Sequence, residues 1–168
     1  YAFNASVKGN SNEPVGNVAE AVVLWESRND RNPINVGDVV TSVTFDGNMV
    51  HFYLPTEPVS GNAVIAVKDA LGTILWSWHI WVVDFDPVAT QQTYISGAVM
   101  MDRNLGALNV IPGDLGSFGL MYQWGRKDPF VGRGSYDQDN SRATSSPWFY
   151  KPYNGQWQKL TSLQKLGR

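Results

Sequence analysis

The sequence predicts a mainly β protein: an N-terminal β-sandwich followed by a loop-rich α+β segment that is expected to be incomplete. Three observations predict it. Trp76-Ser77-Trp78-His79-Ile80-Trp81-Val82-Val83 packs three of the seven Trp into six residues, and such a run of aromatic and β-branched side chains fits a pleated surface better than a helix. Short alternating runs recur between clusters of Gly, Pro, Asn and Asp with no helical period between them, which is the pattern of a sandwich. Aromatics at 12%, with 16 Gly and 9 Pro, favour strands and turns over helices.

The elements follow in order. Tyr1-Ala2-Phe3 opens as a strand, and residues 5–17 are a polar, turn-rich connection. Val18 to Glu26 reads as a strand with Val22 and Leu24 on one face and Val23 and Trp25 on the other. A loop from Ser27 to Gly37 precedes Val39 to Phe45, and Met49 to Leu54 follows an Asp46-Gly47-Asn48 tip. Two alternating runs around such a tip make a hairpin, because Gly and Asn tolerate the positive φ of tight turns. Asn62 to Lys68 places Ala63, Ile65 and Val67 on one side, and Asp69 to Gly72 suits a hairpin loop. Thr73 to Asp84 is the Trp strand. Its two faces, Ile74-Trp76-Trp78-Ile80-Val82 and Leu75-Ser77-His79-Trp81-Val83, are both apolar, which predicts a strand covered on both sides and central in its sheet. Beyond Pro87 the pattern weakens: Thr93 to Met101 reads as one strand, Gly106 to Gly119 as loop, and Lys159 to Leu166 as a short helix.

Charge divides the chain at the same point. Residues 1–87 hold 4 basic and 10 acidic side chains, and residues 88–168 hold 9 and 5, so −6 and +4 give the net −2. We therefore expect a β-sandwich domain over 1–87 and a basic, loop-rich α+β module over 88–168. The net charge of −2 argues against nucleic-acid binding by broad phosphate neutralisation. With no Cys, the chain has neither disulfides nor thiolate metal sites nor a Cys nucleophile. No run approaches the ~20 apolar residues of a membrane helix. A start at Tyr1 without Met, and an end at Arg168 directly after the expected helix, suggest a processed or excised piece of a longer protein.

Three blocks carry a family resemblance. Residues 62–69 with 74–82 (NAVIAVKD and ILWSWHIWV), then 101–107 (MDRNLGA), then 119–130 (GLMYQWGRKDPF) resemble, in that order, segments of fimbrillin-associated surface proteins of anaerobic gut bacteria. The resemblance covers about residues 60–130. It implies an immunoglobulin-like or fimbrillin-like sandwich, export to the cell surface or outer membrane, often as a lipoprotein, and a role in adhesion or pilus-associated assembly. Its partners would be other surface or pilus subunits, or host or microbial glycans. No lipid-attachment Cys is present, and the family's C-terminal module is usually longer.

Candidate chemistry is sparse, and no cofactor is expected. His51 and His79 lack a near acidic third ligand, so a hydrogen-bonded His beside a sheet is the preferred reading over a metal site. Asp84 and Asp86 share a strand face but precede Pro87, where Asp serves turns. Asp137 and Asp139 alternate like calcium ligands, without the Gly and Glu such a loop requires. Gly132-Arg133-Gly134-Ser135 lacks the setting of a nucleophile elbow, and the Gly-rich run from Gly113 to Gly119 lacks the Lys of a phosphate cradle. Asp102, Arg103, Arg126 and Asp128 place opposite charges inside the family blocks; we read them as a structural polar network that holds loops, with a carboxylate-recognition site as the rival. Trp148, Phe149, Tyr150, Tyr153 and Trp157 put five aromatics into ten positions. Trp148, Tyr150, Tyr153 and Trp157 are the candidate contacts for a sugar or a protein partner, against burial in a core.

The sequence thus favours a non-enzymatic adhesion module that binds through sheet edges and aromatic loops, with Tyr1 to Ala5 as a segment that donates or vacates an edge. A carbohydrate-binding module of an exported protein is the alternative. A loop-built enzyme would need a pocket of perturbed ionisable groups around Asp102, Arg126 and Asp128.

Overall fold

The computed structural model describes residues 1–9, 11–28, 37–122, 124 and 127–129, together with the backbone of 149–150 and 158–159. The chain is mainly β, and its sheets are antiparallel. Six strands carry the N-terminal part: β1 (Ala2–Asn4), β2 (Glu20–Ser27), β3 (Ser42–Phe45), β4 (Met49–Tyr53), β5 (Gly61–Lys68) and β6 (Ile74–Val82). They form two three-stranded sheets of order β1-β4-β3 and β2-β5-β6. Short two-residue ladders follow: β7 (Gln92–Thr93) with β8 (Val99–Met100), and β9 (Phe149–Tyr150) with β10 (Gln158–Lys159).

The hairpins sit where local chemistry demands them. Asp46 Oδ1 accepts from the N–H groups of Asn48 and Met49, and Gly47 between them has φ 109°. The next turn repeats the device: Asp69 Oδ1 accepts from Leu71 and Thr73 N–H, with Gly72 at φ 80°. In both, an Asp side chain satisfies the N–H groups that the reversing backbone turns away from its ladder.

Side chains of both sheets meet in one hydrophobic cluster. Val23, Ala63, Ile65 and Val67 of the second sheet join Val50 and Phe52 of the first, together with Ala5, Val15, Val39 and Val40 from the connections. Phe3, Trp76, Trp78, Ile80 and Val82 pack against it, with the Phe3 and Trp78 ring centroids 4.8 Å apart. Of the face that groups Ile74, Trp76, Trp78, Ile80 and Val82, all but Ile74 turn to this core. β5 is buried from Gly61 to Val67, so both of its faces are covered.

Four expectations are corrected. The Trp strand is an edge: β5 is central, and among the described residues no strand pairs with the outer side of β6. Its two apolar faces report layers above and below the sheet and carry no information about lateral neighbours. In β2 the register shifts between Val23 and Trp25, so Leu24 is a bulged residue. The bulge reverses the alternation: Val23 opposes Ile65 on the core face, while Trp25 opposes Val64 on the other and Glu26 turns toward the core opposite Ala63. A second shift beside Val67 lets Leu75 pack on the core instead of the outer face. Finally, Thr93 to Met101 spans a hairpin and is not one strand, because Ser96-Gly97 turns the chain, with Gly97 at φ 82° and Tyr94 N–H bonded to Ala98 O. The helix expected over 159–166 lies outside the described residues, apart from Lys159 in β10.

Glu26 shows what the bulge accomplishes. Its carboxylate is buried and accepts from Gly37, Val39 and Val40 N–H at 2.7, 3.2 and 2.6 Å. One side chain so provides partners for three main-chain donors at the re-entry of the chain into the core. Burial raises its pKa, outweighing the three N–H groups that pull it down.

Candidate functional site

The outer face of the β2-β5-β6 sheet is where separated parts of the sequence converge. Across it run the rows Val22–Ala66–Ser77, Trp25–Val64–His79 and Ser27–Asn62–Trp81. Against this face lie Gly106, Ala107 and Leu120, all buried. They belong to a segment folded on itself, with Leu120 N–H bonded to Leu105 O, Ala107 N–H to Asn104 O and Leu108 N–H to Gly116 O. Gly106, at φ 81°, makes the closest approach. A Cβ there would stand 2.5 Å from Leu120 Cγ and 2.9 Å from Asn62 Oδ1, so only glycine lets the segment descend this far.

Asn62 is the polar centre of the face. It is fully buried, and its Nδ2 donates to Gly106 O at 2.9 Å. That bond fixes the amide orientation and leaves Oδ1 as the acceptor for His79 Nε2 at 3.0 Å. His79 is accordingly the neutral tautomer with its proton on Nε2. Burial pushes its pKa down to about 4, with Asp128 pulling weakly the other way. Ser27 Oγ and Trp81 Nε1, on either side of Asn62, are buried without a hydrogen-bond partner among the described residues.

Two charged corners flank this centre. At the Ser77 end, Lys127 Nζ donates to Ser77 O at 2.7 Å and to Ser77 Oγ at 2.6 Å, and it is also paired with Asp128. Ser77 Oγ in turn donates to Asp128 Oδ2 at 2.7 Å. The same ammonium lies 4.7 Å from the centroid of the Trp76 ring, and Lys8 Nζ lies 5.4 Å from it. At the Trp81 end, Arg103 makes a bidentate pair with Asp102 at 2.7 and 2.8 Å, and its guanidinium stands 3.5 Å from the centroid of Phe85. Phe85 meets Trp81 edge-on at 5.6 Å. The carboxyl of Asp102 is held below the ordinary range by its hydrogen bonds to Arg103.

Only some of the expected residues are among those described. Asp102 pairs with Arg103 at one corner and Asp128 with Ser77 and Lys127 at the other; Arg126 lies outside the described residues. Trp148, Tyr153, Trp157 and the side chain of Tyr150 also lie outside them, as do 132–135, Asp137 and Asp139. His51 is far in topology from His79: it sits on β4 and pairs with Asp46 at 2.8 Å, a hydrogen bond that lowers the Asp46 pKa. Asp86 caps a turn by accepting from Val88 and Ala89 N–H. In the Gly-rich run, Asp114 caps a single 3-10 turn over Leu115–Ser117. Among the described residues no three His, Asp or Glu side chains gather to hold a metal ion, and no helix is long and apolar enough to cross a membrane.

Sequence reasoning missed Asn62 and Glu26 as organising groups, whereas Lys127 lies within the Arg126-Lys127-Asp128 run that it singled out. The available signal was a polar residue beginning or ending an otherwise apolar strand, as Asn62 and Glu26 do. It also missed Trp124, whose indole is 99% exposed with Tyr122 half-exposed nearby. No family model, curated protein or solved structure matches the chain.

Proposed function

We propose that the chain is a β-sandwich, immunoglobulin-like or fimbrillin-like, and a non-enzymatic module of an exported bacterial surface protein that acts in adhesion or pilus-associated assembly. The observation that supports this reading is the open architecture of its sheets. Among the described residues each three-stranded sheet ends in strands bonded on one side only, and one of them, β1, is three residues long. β1 is held on β4 by main-chain bonds, with Tyr1 N donating to Phe52 O and Phe52 N to Tyr1 O, and by the Phe3–Trp78 contact. A strand so short is readily exchanged, and the β4 edge that it covers can accept an equivalent strand from a neighbour. Deleting residues 1–5 is expected to reduce self-assembly measured by light scattering. Assembly that proceeds unchanged counts against donation by this segment.

The exposure of Trp124 favours a second reading, glycan binding by aromatic loops, because a solvated indole offers a flat face for a sugar ring. On a glycan array, binding that is lost in Trp124→Ala or Trp157→Ala is the expected signature. A chain that binds no glycan, or binds equally well after both substitutions, removes this reading.

A further inference from the structure

We infer that the outer edge of β6 is a strand-pairing surface for the same edge of a second copy of this chain, and that Lys127 holds it shut. The inference starts from the direction of Ser77. Asp69 N–H bonds across the hairpin to Thr73 O, so by alternation Val67, Ile65 and Ala63 face β6 and Ala66 does not; its partner Ser77 turns its carbonyl away from β5, and Lys127 bonds to it there. Main-chain groups of alternate residues in an antiparallel strand share a side, so those of His79 and Trp81 point the same way. Among the described residues, no main-chain bond reaches the outward groups of His79 or Trp81. Three consecutive outward positions therefore form a ladder with only its Ser77 end occupied.

The chemistry of β6 selects a second copy as occupant. The strand is nine residues long, contains three Trp, and has no Gly, Pro or formally charged side chain. An edge with these properties templates its own pairing, because two copies meet without like-charge repulsion. A two-fold axis through His79 would set Ser77 of one copy opposite Trp81 of the other, join two β2-β5-β6 sheets into one of six strands, and make each contact twice.

Lys127 stands in the way at a specific atom. Its ammonium occupies the acceptor position on Ser77 O that the second copy's Trp81 N–H would need. It is anchored there by Ser77 Oγ, by Asp128 and by the face of Trp76. Under two-fold symmetry one lysine per copy blocks both ends of the ladder. A charged lysine at an unpaired edge is a known means of preventing sheet-to-sheet association.

The test compares the full chain with Lys127→Ala, Lys127→Met and Lys127→Arg by sedimentation equilibrium and by amide hydrogen exchange. Met keeps an unbranched apolar side chain of similar length and loses the charged donor, so it reads the edge even where Ala perturbs the fold. Dimerisation at least about tenfold tighter than wild type is expected for Met and Ala, with slowed exchange at the His79 and Trp81 amides. Arg, which keeps charge and donors, is expected to behave as wild type. Association unchanged in Met overturns the inference. So does a dimer in which His79 and Trp81 exchange at the wild-type rate, since that dimer uses another surface, such as the β1–β4 edge.

Discussion

Asn62→Ala is expected to destabilise the fold by about 2–6 kcal/mol, the sum of two buried groups left without partners at ~1–3 kcal/mol each. The reasoning follows the two ends of one amide. Nδ2 meets Gly106 O, and Oδ1 meets His79 Nε2, in a row that is fully buried at Asn62. Alanine removes both ends while leaving the Gly106 carbonyl and the His79 N–H in place and shielded from water. Asn62→Asp separates the contributions, because a carboxylate still accepts from His79 and can no longer donate to Gly106. Urea unfolding of the three proteins at neutral pH measures the cost, and a loss below about 1 kcal/mol for alanine would show that the two bonds contribute no more than ordinary exposed ones. The expected consequence is not confined to the strand. With the Gly106 anchor gone, proteolysis should cut first within 102–122, before the β2-β5-β6 sheet yields.

That Asn62 should tie β6 to the segment around Gly106 was not legible in the sequence, although the elements that present it partly were. The hairpins were readable because their chemistry is local: Asp46 and Asp69 each accept from N–H groups two to four residues ahead, and Gly47 and Gly72 take positive φ. The core-facing side of β6 was readable from Trp76 to Val82, where alternation survives, and not at Leu75, where the register shifts. The bulge at Leu24 was not, since Val22, Val23, Leu24 and Trp25 are all apolar and a one-residue slip leaves the hydropathy pattern intact. The edge position of β6 was hidden for a different reason. Apolar faces register what lies above and below a sheet, and here the core covers one face while the segment around Gly106 and Leu120 covers the other. The order of the strands depends on pairing partners, on which side-chain polarity is silent. The candidate site was legible as charges and not as contacts: Asp102 and Asp128 could be singled out, but that Ser77 serves as the anchor of Lys127 follows only from a register 50 residues away in sequence.

The stability of this seam should also depend on pH, and the direction follows from His79. Its pKa in the folded chain is pushed down to about 4, whereas an unfolded histidine titrates near its ordinary value of 6.5. Between those values the unfolded chain binds a proton that the folded chain refuses, so stability is fully present above about pH 6.5 and is lost progressively as the pH falls toward 4. The full loss is about 3 kcal/mol, reached near the lower value. Physically, the second proton must enter on Nδ1 and create a cation in a face whose nearest partner, Asn62, already spends its amide donor on Gly106. Glu26 acts in the opposite direction, because its raised pKa favours the folded chain as the pH drops, so the net slope is shallower than His79 alone would give. His79→Gln isolates the histidine contribution, since glutamine can donate to Asn62 without titrating. Urea midpoints at pH 7.0, 5.5 and 4.5 are expected to fall steeply in the wild type and much less in His79→Gln. Parallel curves for the two proteins would mean that His79 takes its proton while still folded, and that the Asn62–His79 contact is open to water.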